Sequence, residues 1–228
     1  MRGTISRRLS SLLLTSASVA ALSLAWAPSS ALAEKVGVTA AVKPDAFSDG
    51  TPVSIGSSVF YNQRINTSGS GIVQVLLIDG STFTVGFGSD LVIDKFVYDP
   101  KKNKGEIVAT FGKGVLRFVG GKISKNEGGV KVNMPSGALA IRGGMFFANQ
   151  NLLAFIYGDE LVYKDNATGT VRRAFYNGTG IDLTGPTPMT RPVRPDEFAR
   201  FVRRSPAAGL SLPSLTPTSR RRRIPSPK

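Results

Sequence analysis

Residues 77 to 94 read LIDGSTFTVGFGSDLVID and place three carboxylates, Asp79, Asp90 and Asp94, among apolar residues and glycines. Acids in such a setting could serve a carboxylate-dependent hydrolase or hold a hard cation such as calcium. The spacing favours neither. A calcium loop needs oxygen ligands at alternating positions, as in D-x-D-x-D-G. Here Asp79 is followed by Gly80, Ser81 and Thr82, and the next acid is Asp90. Asp90 and Asp94 would share one face of a regular strand about 13 Å apart, beyond the roughly 5–9.5 Å that glycosidase pairs span. The chain contains no histidine and no cysteine. This removes imidazole bases, Ser-His-Asp arrangements, thiolate nucleophiles and the usual zinc ligands. The expectation is a non-enzymatic protein with no cofactor and no metal. A carboxylate-dependent hydrolase, assembled from acids on separate strands, is the remote alternative.

Cations are the other candidates. Arg142 stands before Gly143-Gly144 and is read as a structural arginine pairing with an aspartate or loop carbonyls, against a role in anion or partner binding. Arg220, Arg221, Arg222 and Arg223 form an unbroken run, and Arg200, Arg203 and Arg204 lie upstream of it. On an anionic lipid or polysaccharide surface each contributes about 1 kcal/mol. Stable attachment would need a second signal, for which Phe198 and Phe201 are suited. The other reading is that these phenylalanines dock on the protein's own sheet. The glycine-rich stretches GFGSD and FGKG lack the G-x-x-x-x-G-K-[ST] spacing of a phosphate loop, and no nucleic-acid partner is expected.

The elements that must position these residues are strands. From Val36 to about Leu183, short β-branched and aromatic runs alternate with glycine-rich turns, with no convincing helix between them. This predicts an all-β antiparallel domain, a sandwich or jelly-roll-like closure, with a short β-solenoid as the alternative. Asp79-Gly80 predicts a two-residue type I′ hairpin, and Gly158-Asp159 another tight hairpin. In GIVQVLLID, Val73, Val75 and Leu77 point one way and Ile72, Gln74, Leu76 and Ile78 the other. Both faces are mainly apolar, so this strand is expected to be covered on both sides.

Three regions follow. Residues 1–33 read as a secretory signal peptide: Arg2, Arg7 and Arg8, then an apolar run from Leu12 to Trp26, then Ala31-Leu32-Ala33 as the cleavage pattern. Residues 34–185 form the β domain. Residues 186–228 hold nine of the chain's 14 prolines and carry +8 of the net +14 charge, a basic, mostly disordered tail. Within it RPDEFARFVRR predicts a short helix over 195–204. Pro195 suits its first turn, Asp196 and Glu197 its positive end, and Phe198, Phe201 and Val202 one face. Such a helix needs a surface to dock on.

DGSTFTVGFGSDLVIDKFVYDP, then GVLRFVGGKISKN, then ALAIRGGMFF, together resemble the FecR-type periplasmic domain. The matching positions are Asp79, Gly80, Ser81, Ser89, Leu91, Gly114, Arg117, Phe118, Pro135, Ala138, Arg142 and Gly143, over roughly residues 50–147. Where that family has Arg-Gly-Thr, this chain has Arg142-Gly143-Gly144. The resemblance implies an all-β, extracytoplasmic module without catalysis. The expected function is protein–protein binding or signal sensing, in the periplasm or secreted, with an envelope or secreted protein as the unidentified partner. The alternative is an envelope-associated structural protein held by its basic tail.

Overall fold

The computed structural model describes residues 34–206. The leader-like segment with Ala31 and Ala33, and the run Arg220 to Arg223, lie outside the described residues. No described helix is long and apolar enough to cross a membrane.

The chain builds two facing sheets by visiting them in turn. β1 (Lys35–Lys43) enters sheet I. β2 (Ala46–Ser48) and β3 (Thr51–Pro52) lie in sheet II, β4 (Ser58–Phe60) in sheet I and β5 (Arg64–Thr67) in sheet II. A run of hairpins follows: β6 (Ile72–Leu77) with β7 (Thr82–Val85) in sheet I, and β8 (Asp90–Asp99) with β9 (Lys104–Lys113) in sheet II. β10 (Leu116–Val119) returns to sheet I. β11 (Val130–Met134) and β12 (Gly137–Arg142) lie in sheet II, β13 (Met145–Ala148) and β14 (Leu152–Tyr157) in sheet I, and β15 (Glu160–Asp165) and β16 (Val171–Ala174) in sheet II. β17 (Thr179–Asp182) and β18 (Met189–Pro192) close sheet I, and helix α1 (Pro195–Arg204) follows.

Sheet I has the order β18-β17-β14-β13-β10-β7-β6-β1-β4 and sheet II the order β16-β15-β12-β11-β9-β8-β5-β2-β3. The predicted all-β class holds, in its sandwich form. Pairing is antiparallel apart from β9 with β11, which are parallel because β10 carries the chain across the other sheet between them. The inward side chains of both sheets form one core. In it Phe118 lies between Phe83 and Phe146, at centroid distances of 4.9 and 5.4 Å.

Several expectations need revision. The Asp79-Gly80 connection is a hairpin, but not a two-residue one. The Gly80 N–H donates to Leu77 O, the Leu77 N–H donates to Ser81 O, and only Gly80, at φ 84°, has positive φ. A three-residue loop with glycine in the left-handed position follows, because Asp79 is held by other bonds described below.

Gly158-Asp159 is not a hairpin. It carries the chain from β14 in sheet I to β15 in sheet II, whose partners are β12 and β16. A two-residue turn signal reports a change of direction and not which sheet receives the next strand.

The second side of β6 is covered only in part: Ile72 there is buried and Gln74 half-buried. Val73, Val75 and Leu77 are buried in the core, while Leu76 is 41% and Ile78 59% exposed. The register of β8 against β9 shifts at Asp90/Leu91 and Ile93/Lys95, yet Asp90 and Asp94 share a face as expected: they bond Arg64 and Thr110, the two cross-strand partners of Val92.

Part of the segment read as tail is folded. Met189–Pro192 pairs with β17, and α1 docks on sheet I.

Candidate binding surface

The acids of the opening stretch hold the fold together. Asp79 is buried, and its Oδ1 accepts the Ser81 N–H at 3.0 Å. Its Oδ2 accepts the Ser81 hydroxyl at 2.7 Å and the Ile123 N–H at 3.1 Å. The Asp79 carbonyl accepts the Lys122 N–H at 2.9 Å, and the Gly121 N–H donates to Ser81 Oγ at 2.9 Å. Asp79, Gly80 and Ser81 therefore tie the β6–β7 hairpin to the connection between β10 and β11. Asp90 is gripped by the Arg64 guanidinium, whose Nε lies 2.8 Å from Oδ2. Asp94 accepts the Thr110 hydroxyl at 2.7 Å. Among the described residues no group of three acids gathers as a metal site would require.

Arg142 pairs with Asp159 at 3.4 Å, but the two side chains are 44% and 64% exposed. Such a pair adds little stability. The structural demand of this motif falls on the glycines: Gly143 and Gly144 have φ of 65° and 76°. A Cβ on Gly144 would stand 1.7 Å from Tyr157 O.

Helix α1 is built into the sandwich. Its first turn is closed by Glu197, whose Oε2 accepts the Arg194 N–H at 2.9 Å. Arg191, at the end of sheet I, donates to both Glu197 oxygens at 2.8 Å and to Asp182 Oδ2 at 2.7 Å. These bonds hold both carboxyls near pKa 2, well below their ordinary values; the Arg191 bond leads at Glu197, and the Thr184 side chain leads at Asp182. Phe201 is buried against Val115, Leu152 and Ala154 and stacks on Phe147 at 5.3 Å. At the far end the Phe87 N–H donates to Arg204 O at 3.0 Å. Phe201 is thus committed to the sheet and is not free to enter a membrane. Of the basic candidates on the helix, Arg200 pairs with Asp196 at 2.9 Å, Arg204 reaches Phe87 O at 3.3 Å, and Arg203 is exposed.

Beside α1 the outer face of sheet I is open. Cross-strand register aligns Val38, Leu76, Thr82, Val119, Met145 and Tyr157 across β1, β6, β7, β10, β13 and β14. Six strands at about 4.8 Å make a lane roughly 24 Å long. Leu76 and Ile78 are exposed, as are Tyr157 at 46% and, on the flanking helix, Phe198 at 40%.

Arg117 lies in the next row, paired across strands with Thr84 and Phe147. Its guanidinium carbon stands 5.9 Å from the Phe147 ring centroid, and its Nε approaches Met145 Sδ at 3.4 Å. Burial among these groups lowers its pKa, the Tyr157 phenol opposing weakly. No described carboxylate forms a salt bridge with it. Its motif neighbour Phe118 points the other way, into the core.

The lane was missed by sequence reasoning. Its signal was present in Leu76, on the second face of β6, and in Ile78 just beyond the strand, apolar residues expected to be covered. The bonds joining Arg191, Glu197 and Asp182 were missed because their residues fell in the segment read as tail.

No protein-family profile matches the chain, and no curated protein matches it. Two crystal structures of a "putative anti-sigma factor" from Parabacteroides distasonis are similar in fold. They match at 15% and 14% identity with TM-scores of 0.48 and 0.47, over 61% of this chain. The chain spans 63% and 64% of those proteins' length. Similarity at this level assigns no function.

Proposed function

We propose that this protein is a non-enzymatic extracytoplasmic module that acts by binding another protein, in the manner of a FecR-type signalling domain. The observation that carries the reading is the open lane on sheet I. It presents exposed Leu76, Ile78 and Tyr157 beside a half-buried arginine that has no described acidic partner. Apolar surface of this kind, with a fixed charge at its edge, suits a protein interface. The acids that could have served catalysis are occupied: Asp79 and Asp90 hold loops and strands, and Glu197 holds the helix. The extracytoplasmic setting rests on the leader-like composition of residues 1–33 and the Ala31-Leu32-Ala33 pattern.

In-cell photo-crosslinking tests the binding reading. A crosslinking residue at position 76 or 157 is expected to yield a discrete protein adduct. One at position 97, at least as exposed and on sheet II, is expected to yield none. Equal adducts from all three positions, or none from any, would sink the proposal. N-terminal sequencing of the protein recovered from an envelope fraction tests the location; the expected first residue is Glu34.

A further inference from the structure

We infer that the lane on sheet I receives an amphipathic helix of a partner protein, and that Arg117 recognises one carboxylate on that helix. The inference rests on the binding reading above and adds the chemistry of the partner.

Shape comes first. Helix α1 crosses sheet I from the β17 side, where Arg191 and Asp182 hold it, to the β7 side, where Arg204 meets Phe87. The lane runs across the same strands, next to it. About 24 Å of lane matches some 16 residues of α-helix at 1.5 Å per residue. A second helix there would lie side by side with α1, which already shows how this face accepts one: aromatic side chains pack onto Phe147. Phe198, edge-on to Phe147 at 5.9 Å and 40% exposed, would form the wall between the two helices.

Charge then selects the occupant. The groups facing Arg117 are Thr84 from β7, Met145 and Phe147 from β13, and the Tyr157 phenol from β14. None of them carries a carboxylate. A half-buried cation without a counter-charge is costly to bury further. Anything that covers the lane must supply a carboxylate or leave Arg117 unpaired. A second copy of this chain is disfavoured on the same ground, because a two-fold contact across the lane would bring two Arg117 side chains together. Arginine also suits the role by presenting a planar fork that takes a carboxylate in two parallel bonds.

The test is a selection from a displayed library of 16-residue amphipathic helices. The apolar face is kept constant, and four central positions vary among Asp, Glu, Asn, Gln, Lys and Leu. The targets are the full-length protein and its Arg117→Gln and Arg117→Glu variants, each first checked for unchanged melting. On the unaltered protein the selected peptides should carry one acid. Replacing it by the amide should weaken binding at least tenfold, and amide shifts on binding should map to Leu76, Val119, Met145 and Tyr157. Arg117→Gln should abolish the preference for acid, and Arg117→Glu should turn it to lysine. Peptides that map to the lane without an acid preference, or that keep the preference on Arg117→Gln, overturn the role of Arg117 while leaving the lane as a binding site. No enrichment, with crosslinks from position 76 still present, overturns the helix. Arg117-dependent binding to phosphatidylglycerol vesicles, or a dimer in sedimentation, would replace the helix by a membrane or a second copy.

Discussion

The Asp79 carboxylate accepts a hydrogen bond from the backbone N–H of Ile123, 44 residues further along the chain. An acid that resembles a catalytic residue in the sequence is a fastener between two loops. Asp79→Ala would leave the buried N–H groups of Ser81 and Ile123 without an acceptor. Each such loss costs about 1–3 kcal/mol. The expected destabilisation of about 2–4 kcal/mol is measurable by urea denaturation followed by circular dichroism. A midpoint within error of the parent would show that the bonds are not formed in solution.

The two glycines after Arg142 make unequal demands. Both have positive φ, but only Gly144 lacks room for a Cβ; at Gly143 the nearest contact would be 3.8 Å away. Gly143→Ala should cost about 1–2 kcal/mol from backbone strain alone. Gly144→Ala adds a clash with Tyr157 O and should cost well above 3 kcal/mol or abolish soluble expression. Similar melting temperatures for the two variants would contradict the close approach of the chains.

Arg142→Ala, in contrast, should shift stability by less than about 1 kcal/mol, because its pair with Asp159 is largely in solvent. A loss of several kcal/mol would mean that the pair is better shielded than its exposure indicates.

Acid should loosen the helix. Glu197 and Asp182 titrate near pH 2 in the folded chain, against ordinary values of 4.5 and 3.8. A depressed carboxyl pKa stabilises the fold fully above the ordinary value and loses that contribution as pH falls toward the folded one. Stability should therefore decline between about pH 4.5 and 2, and Glu197→Gln should flatten the part of the slope that Glu197 causes. Denaturant midpoints measured across that range decide the matter; a slope unchanged in the variant would place the proton uptake elsewhere.

Much of the architecture was legible. Alternating apolar runs and glycine punctuation predict the strands, and the pattern of Pro195, Phe198 and Phe201 predicts the helix. What local sequence could not carry was assignment between sheets. Gly158-Asp159 looks like any tight turn, and only the partners of β14 and β15 show that it bridges the two layers. The bulges between β8 and β9 were invisible for a related reason, since an extra residue is detected only against a partner strand. The binding surface was least legible. Leu76 and Ile78 have the composition of buried residues, and nothing local distinguishes a face awaiting another protein from one that is already covered.

Within each sheet the strands lie in nearly the order in which they occur in the chain, displaced only where β4 precedes β1 and β3 precedes β2 at one edge. A Greek-key sandwich must bring distant segments together before its sheets can close. Here each new hairpin is added against a layer that already exists. The sandwich can therefore be laid down behind an advancing front, from the amino-terminal edge onward, with α1 the last of the described elements to arrive. A chain threaded through a narrow pore could fold in the same order in which it emerges, with the helix fastening the completed stack.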